Sequence, residues 1–163
     1  MAAPPAGIAR ATTPDDVAVV RTLFLEYAAS LDVNLAYQDF PREVSALPGE
    51  YAAPRGCLLL ARGADALGCV AVRPIDDARC ELKRLYVRPA ARGTGLGRRL
   101  TEAAIAFART AGYGAMRLDT LPSMGAAQDL YRALGFTVIG AYRESPVPGN
   151  LYMELDLAPG DTR

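Results

Sequence analysis

The apolar residues change period partway along this chain, and that change restricts the fold more than any other feature. Val17, Val20, Leu23, Phe24, Tyr27 and Leu31 recur three and four apart, giving one helical face through about Ser30. Just before them Thr13 can cap, Pro14 suits the first helical position and Asp16 completes a capping box. From Cys57 the pattern becomes short runs, 57–61, 66–72 and 81–87, separated by Gly, Asp or Pro. These predict three adjacent strands in a meander, with hairpin connections at 62–65 and 73–78. Residues 8–11 predict a short first strand, and 37–47 a loop and a short second helix ended by Pro48-Gly49. Further on, Leu96, Leu100, Ala104, Phe107, Ala108 and Ala111 form a helical stripe that Gly112 is placed to stop. A strand at 115–121, a helix at 123–134 ended by Gly135, and strands at 136–139 and 151–157 complete the order. The sequence β-α-α-β-β-β-α-β-α-β-β is a mixed α/β sheet, in which only strands joined by a crossover helix are expected to be parallel. At 163 residues the expectation is a single domain spanning 1–163.

Composition removes much chemistry. With no histidine, Ser-His-Asp and Cys-His catalysis, histidine general bases and imidazole metal sites are excluded, and no metal is required. Lys83 is the sole lysine, so 17 of the 18 basic residues are arginine, and no P-loop motif surrounds it. Cys57, Cys69 and Cys80 are odd in number, lack CxxC spacing and lie in apolar runs, which reads as buried thiols in a reducing cytosol. Basic and acidic residues balance at 18 each, so the long-range field that draws proteins to nucleic acid or anionic membranes is absent. No apolar stretch approaches 18 residues and the N-terminus lacks a charged, apolar leader. A cytoplasmic protein that neither spans a membrane nor binds nucleic acid is expected.

Between a strand and the strongest helix lies Arg92-Gly93-Thr94-Gly95-Leu96-Gly97. Glycines let the backbone approach an anion, the first helical N–H groups are unpaired, and the helix dipole favours negative charge there. A diphosphate is a natural guest, with Arg92, Arg98 and Arg99 adding forked donors. The spacing G-x-G-x-G is not the dinucleotide fingerprint G-x-G-x-x-G. A plain strand-helix connection with solvated arginines is the alternative.

Arg92-x-x-Gly95-x-Gly97 resembles the R/Q-x-x-G-x-G/A signature of the GNAT superfamily of acyl-CoA-dependent N-acyltransferases, and it follows the strand Leu85-Tyr86-Val87. The segment Ala127-x-x-Leu130-Tyr131-x-x-Leu134-Gly135-Phe136 resembles that family's A-x-x-L-Y-x-x-L-G-F helix end. One departure is Met124, at the place where relatives often carry Asn for the pantetheine arm; Ser123 is the available substitute. The resemblance implies a GNAT-like sheet with helices on both faces, in which strands 81–87 and 115–121 splay to admit acetyl-CoA. Leu85 and Val87 would bond the pantetheine amides, the N–H groups of Gly93, Thr94, Gly95, Leu96 and Gly97 would hold the pyrophosphate, and Tyr86, Arg92, Arg98, Ser123 and Ala127 would complete the cofactor site. Tyr131 falls where the family has its thiol-protonating tyrosine.

Acyl transfer to an amine needs a neutral nucleophile, donors for the oxyanion and a proton for the leaving thiolate. A phenol of pKa ~10 is still a proton donor at neutral pH. Glu81 lies where some relatives hold their general base, and alternation places it on one face with Lys83, Leu85 and Val87. A strand carboxylate paired with Lys83 is the competing reading. Asp119 is a reserve base or an acceptor for the substrate ammonium, or else a polar strand end. The acceptor side implied by the resemblance takes in the first two helices and the last hairpin, with Tyr37, Asp119 and Tyr142 as substrate contacts. Asp39, Glu43 and Glu144 are nearby carboxylates, and Tyr27, on the apolar stripe, reads as core. The expected activity is transfer of an acetyl or short acyl group to the primary amine of a small molecule or peptide by direct attack in a ternary complex. A non-catalytic CoA-binding sensor and a nucleotide-binding domain are the rivals, and a homodimer is compatible with the family.

Overall fold

The computed structural model describes residues 7–31 and 33–158. Its elements are β1 (Gly7–Arg10), α1 (Pro14–Ala29), α2 (Phe40–Ser45), β2 (Cys57–Arg62), β3 (Ala66–Pro74), β4 (Arg79–Val87), α3 (Leu96–Thr110), β5 (Ala115–Thr120), α4 (Gly125–Ala133), β6 (Thr137–Ile139) and β7 (Leu151–Asp156), with short 3-10 turns between several of them. The strands form one seven-stranded sheet in the order β1-β2-β3-β4-β5-β7-β6. Antiparallel pairing prevails; β4 and β5, joined by the crossover helix α3, are the parallel neighbours.

Local chemistry starts and stops the helices. Thr13 accepts a hydrogen bond from the Asp16 amide at 3.1 Å, Pro14 opens the first turn of α1, and Asp15 and Asp16 face its positive dipole end. Gly95, with φ of 82°, turns the chain into α3. The fourth helix is shorter than the pattern predicts: Ser123 and Met124 precede it, and it runs only from Gly125 to Ala133.

Two cores flank the sheet. On one face α3 and α4 pack Leu100, Ala104, Phe107 and Tyr131 against Leu59, Val70, Leu82, Met116 and Met153. On the other, α1 and α2 pack Val20, Leu23, Phe24 and Phe40 against Leu58, Leu60, Cys69 and Ala71. Alternation along each strand supplies both faces, so strands buried on both sides read as continuous apolar runs.

Candidate active site

The site begins where β4 leaves β5. Their ladder holds only at Arg79, Cys80 and Glu81 against Ala115, Met116 and Arg117. Beyond it residues 82–87 and 118–120 diverge, so the β4 edge facing β5 has no ladder partner there. A bulge accompanies the parting. Cys69 pairs Tyr86 while Ala71 pairs Lys83, so Val70 stands opposite both Arg84 and Leu85. Arg84 takes φ of 60°, a left-handed conformation that a long side chain seldom adopts. Its guanidinium, buried and forked onto Glu43 at 2.9 and 3.0 Å, also donates to Gln38 Oε1 at 2.9 Å and lies 5.0 Å from the Phe40 ring centroid. These contacts from the α2 region hold the strained backbone in place.

The bulge corrects the alternation expected along this strand. Leu85 and Val87 pack with the α3 core, as Cys80 and Leu82 do before the bulge. Glu81 and Lys83 therefore lie on the opposite face from Leu85 and Val87, because one extra residue reverses the parity of everything after it.

A groove of about 580 Å³ opens along this parting, lined among others by Leu85, Tyr86, Val87, Arg92, Gly97, Ser123 and Ala127. At its outer end, Gly93 and Gly95 have φ of 78° and 82°, and a Cβ built on either meets nothing within 4 Å, so the backbone there is open to an incoming group. The first amides of α3 point out of the same turn without intrahelical partners. Arg92 lines the groove and its Nε donates to the Val87 carbonyl at 3.0 Å. Thr94 turns its hydroxyl back onto the Ala91 carbonyl at 2.6 Å, Leu96 is core, and Arg98 lies against Glu102 at 3.5 Å. Thr94 thus closes the turn, Leu96 anchors the helix start in the core, and the Arg98 side chain is half-exposed on the first turn of α3. Tyr86 directs its hydroxyl toward Glu26 at 3.3 Å. Met124, in the place of the family Asn, lines the groove beside Ser123.

The groove leads to a chamber of about 50 Å³ bounded by Lys83, Leu85, Asp119, Met124, Ala127 and Tyr131, among others. Tyr131 is 5 % exposed, its ring centroid 5.6 Å from that of Phe136. Burial, seconded by Tyr27 and Asp119, pushes the phenol's pKa up, so it keeps its proton. Tyr27, expected as core alone, packs edge-on to Tyr86 at 6.2 Å and lines both chamber and groove. Lys83 Nζ donates to Gln38 Oε1 at 2.9 Å and stands 3.7 Å from Asp119 Oδ1. Asp119 Oδ2 accepts from Asn150 Nδ2 at 3.2 Å.

Glu81 is 0 % exposed and fully engaged. Oε1 accepts from Arg73 Nε at 2.9 Å, and Oε2 accepts from the Tyr142 hydroxyl at 2.5 Å and from Arg143. Burial would raise its pKa; Lys83, Arg73 and Arg143 more than reverse that and hold the carboxyl at about 2. The Tyr142 ring lies between Arg117 and Arg143, 5.3 and 4.9 Å from their guanidinium carbons. Neither Glu81 nor Tyr142 lines the chamber.

Asp39 is exposed beside Arg42 at 3.6 Å, Glu43 is taken by Arg84, and Glu144 lines a separate 850 Å³ hollow in the 141–152 segment. The side chain of Tyr37 lies outside the described residues. Sequence reasoning missed Lys83 and Gln38 as chamber residues. The sole lysine was a visible signal, but alternation aimed it at Glu81; Gln38, on an irregular turn, offered none.

A parallel strand pair that parts beside a glycine-lined helix start, with a buried phenol at the inner end, defines a class: acyltransferases that draw their acyl group from CoA. Residues 21–136 match the model of the acetyltransferase (GNAT) family, and the chain belongs to that family. It is 37 % identical over 148 residues to an uncharacterized N-acetyltransferase of Schizosaccharomyces pombe, covering 89 % of this chain and 91 % of that one. An acetyltransferase structure from Streptococcus agalactiae superposes with a TM-score of 0.74 at 24 % identity, covering 93 % of this chain and 98 % of the other. A phosphinothricin acetyltransferase from Sinorhizobium meliloti, in complex with acetyl-CoA, superposes with a TM-score of 0.68 at 18 % identity over 94 % and 89 % of the two chains. Among the described residues no helix is long and apolar enough to cross a membrane.

Proposed function

We propose that this enzyme transfers an acetyl or other short acyl group from acetyl-CoA to a primary amine of a small molecule or peptide, by direct attack within a ternary complex. The observation that carries the reading is the adjacency of groove and chamber, which share Tyr27, Leu85, Met124 and Ala127 as walls. The groove borders the first turn of α3 and the β4 edge unpaired with β5, and the chamber beside it holds a protonated phenol.

The residues present suit acetyl-CoA. Amides of 93–97 would hold the diphosphate, the β4 backbone around Leu85 and Val87, unpaired with β5, would take the pantetheine amides with the Val87 carbonyl shared with Arg92, and Ser123 and Ala127 would wall the arm. Bound there, acetyl-CoA supplies an activated thioester. In this reading Tyr131, kept protonated by burial, gives its proton to the departing sulfur. In the same reading Asp119, half of a buried pair with Lys83, attracts a cationic acceptor. A carboxyl held at about 2 by surrounding cations accepts a proton poorly at neutral pH, so Glu81 organises the site instead of deprotonating the amine. Tyr142, bound to Glu81, shapes the acceptor side without lining the chamber.

Release of free thiol from acetyl-CoA across a panel of amines tests the reading. Acceptor-dependent release is expected; CoA binding without release from any amine would make the protein a sensor.

A further inference from the structure

An amine attacks a carbonyl only as its free base, and an alkylammonium with a pKa near 10 is almost entirely protonated at neutral pH. The acetyl transfer proposed above therefore needs a proton acceptor beside the thioester. There is no histidine in the chain, and Glu81 is surrounded by donors on both oxygens. Protonating it would leave Arg73 and Arg143 without their buried counter-charge.

We propose that Lys83 is the general base: its amine, in the chamber between the parted strands, takes the proton of the acceptor's ammonium. The assignment rests on the acetyl-transfer reading and gives that site its missing component.

The geometry supplies three conditions. First, Lys83 lines the same small chamber as Tyr131 and Leu85, the residues that the acetyl-transfer reading sets around the thioester. Second, its side chain is 3 % exposed and its neighbours balance in charge. Glu81 and Arg84 flank it on β4, Arg73 lies on β3 and Asp119 on β5; Arg84 is paired with Glu43 of α2, Arg143 with Glu81, and Tyr27 and Tyr131 approach from α1 and α4. Burial outweighs the attraction of Glu81 and Asp119 and brings the amine down to about 8, where both of its forms are populated near physiological pH. Third, both forms have partners. Gln38 Oε1 accepts from Lys83 in either state, and Asp119 Oδ1, with Asn150 on its other oxygen, stands ready for the charge gained.

The protons balance. One N–H bond of the acceptor ammonium breaks and its proton joins the Lys83 lone pair. The freed amine forms a C–N bond at the thioester carbon, the C–S bond breaks, the thiolate takes the Tyr131 proton, and the second proton that the nitrogen loses restores Tyr131. Lys83 returns its own proton to solvent, so each turnover releases one net proton. A lysine that only supported the fold as half of an ion pair would stay protonated throughout.

Because Lys83 is the sole lysine, [ε-13C]lysine labelling of the intact protein yields a single side-chain resonance whose pH titration reads this amine. A midpoint near 8 is expected, and an ordinary midpoint above 10 overturns the proposal. With an acceptor of pKa near 10, wild-type kcat/KM should rise through the same midpoint. Lys83→Arg, which keeps the charge but holds its proton, should lose at least ~100-fold in kcat at pH 7.5. It should keep its CoA affinity, and its deficit should shrink as pH approaches the acceptor's own pKa. Lys83→Arg with a wild-type profile, or a loss independent of pH, removes Lys83 alone. A wild-type protein that releases no thiol with any amine removes the acetyl-transfer reading and this proposal with it.

Discussion

Glu81 and Arg143 form an ion pair across 62 residues of chain, joining the last β4 residue paired with β5 to the segment that follows β6. With Arg73 on the other oxygen, this carboxylate ties two arginines from different elements to the point where the strands part. A buried charge of this kind is costly to strand, and that sets the first expectation.

Glu81→Gln removes the carboxylate facing Arg143 and one of the two facing Arg73, which keeps Glu50 at 2.8 Å, so a loss of about 3 kcal/mol in urea unfolding at pH 7 is expected. The wild-type carboxyl is depressed from 4.5 to about 2, so its contribution, on the order of 3 kcal/mol, is complete above 4.5 and disappears as pH falls toward 2. Wild type should lose stability across that window more steeply than Glu81→Gln. Parallel curves would show that the cluster contributes no linkage.

Tyr131→Phe keeps the ring against Phe136 and removes only the proton. A fall in kcat of at least ~10-fold is expected, with CoA affinity by calorimetry unchanged. An undiminished kcat takes Tyr131 out of the chemistry.

Gly95→Val forces a β-branched residue to a φ of 82° at the mouth of the groove, a strain of roughly 1–2 kcal/mol. Distorting the first turn of α3 should raise KM for acetyl-CoA ~10-fold or more while leaving kcat within about threefold. Steady-state kinetics with acetyl-CoA varied will show this, and an unaltered KM would place the diphosphate elsewhere.

Cys57, Cys69 and Cys80 are all buried, and burial raises each thiol, Cys57 and Cys80 to about 12. Ellman's reagent at pH 8 should find no reactive thiol in the native protein and 3 in guanidinium. Rapid labelling of the folded protein would contradict the burial.

The order of elements, the capped start of α1 and the glycine turn before α3 were all legible in the sequence, because each depends on residues within a few positions of one another. The same holds for Tyr131, whose place is set by the helix that carries it. What the chain alone could not reveal lies at the parting of β4 and β5. There one extra residue at Arg84 reverses the facing of Leu85 and Val87 relative to Glu81, a change held by Gln38 and Glu43 from more than 40 residues away. The surroundings of Glu81 and Lys83 arise there too. Neighbours in sequence with opposite charges look like a simple pair, but Arg73, Tyr142 and Arg143 converge on the carboxylate while burial acts on the amine. Local pattern determines which elements form. Desolvation and long-range charge, which exist only after the sheet closes, determine which of its groups can move a proton.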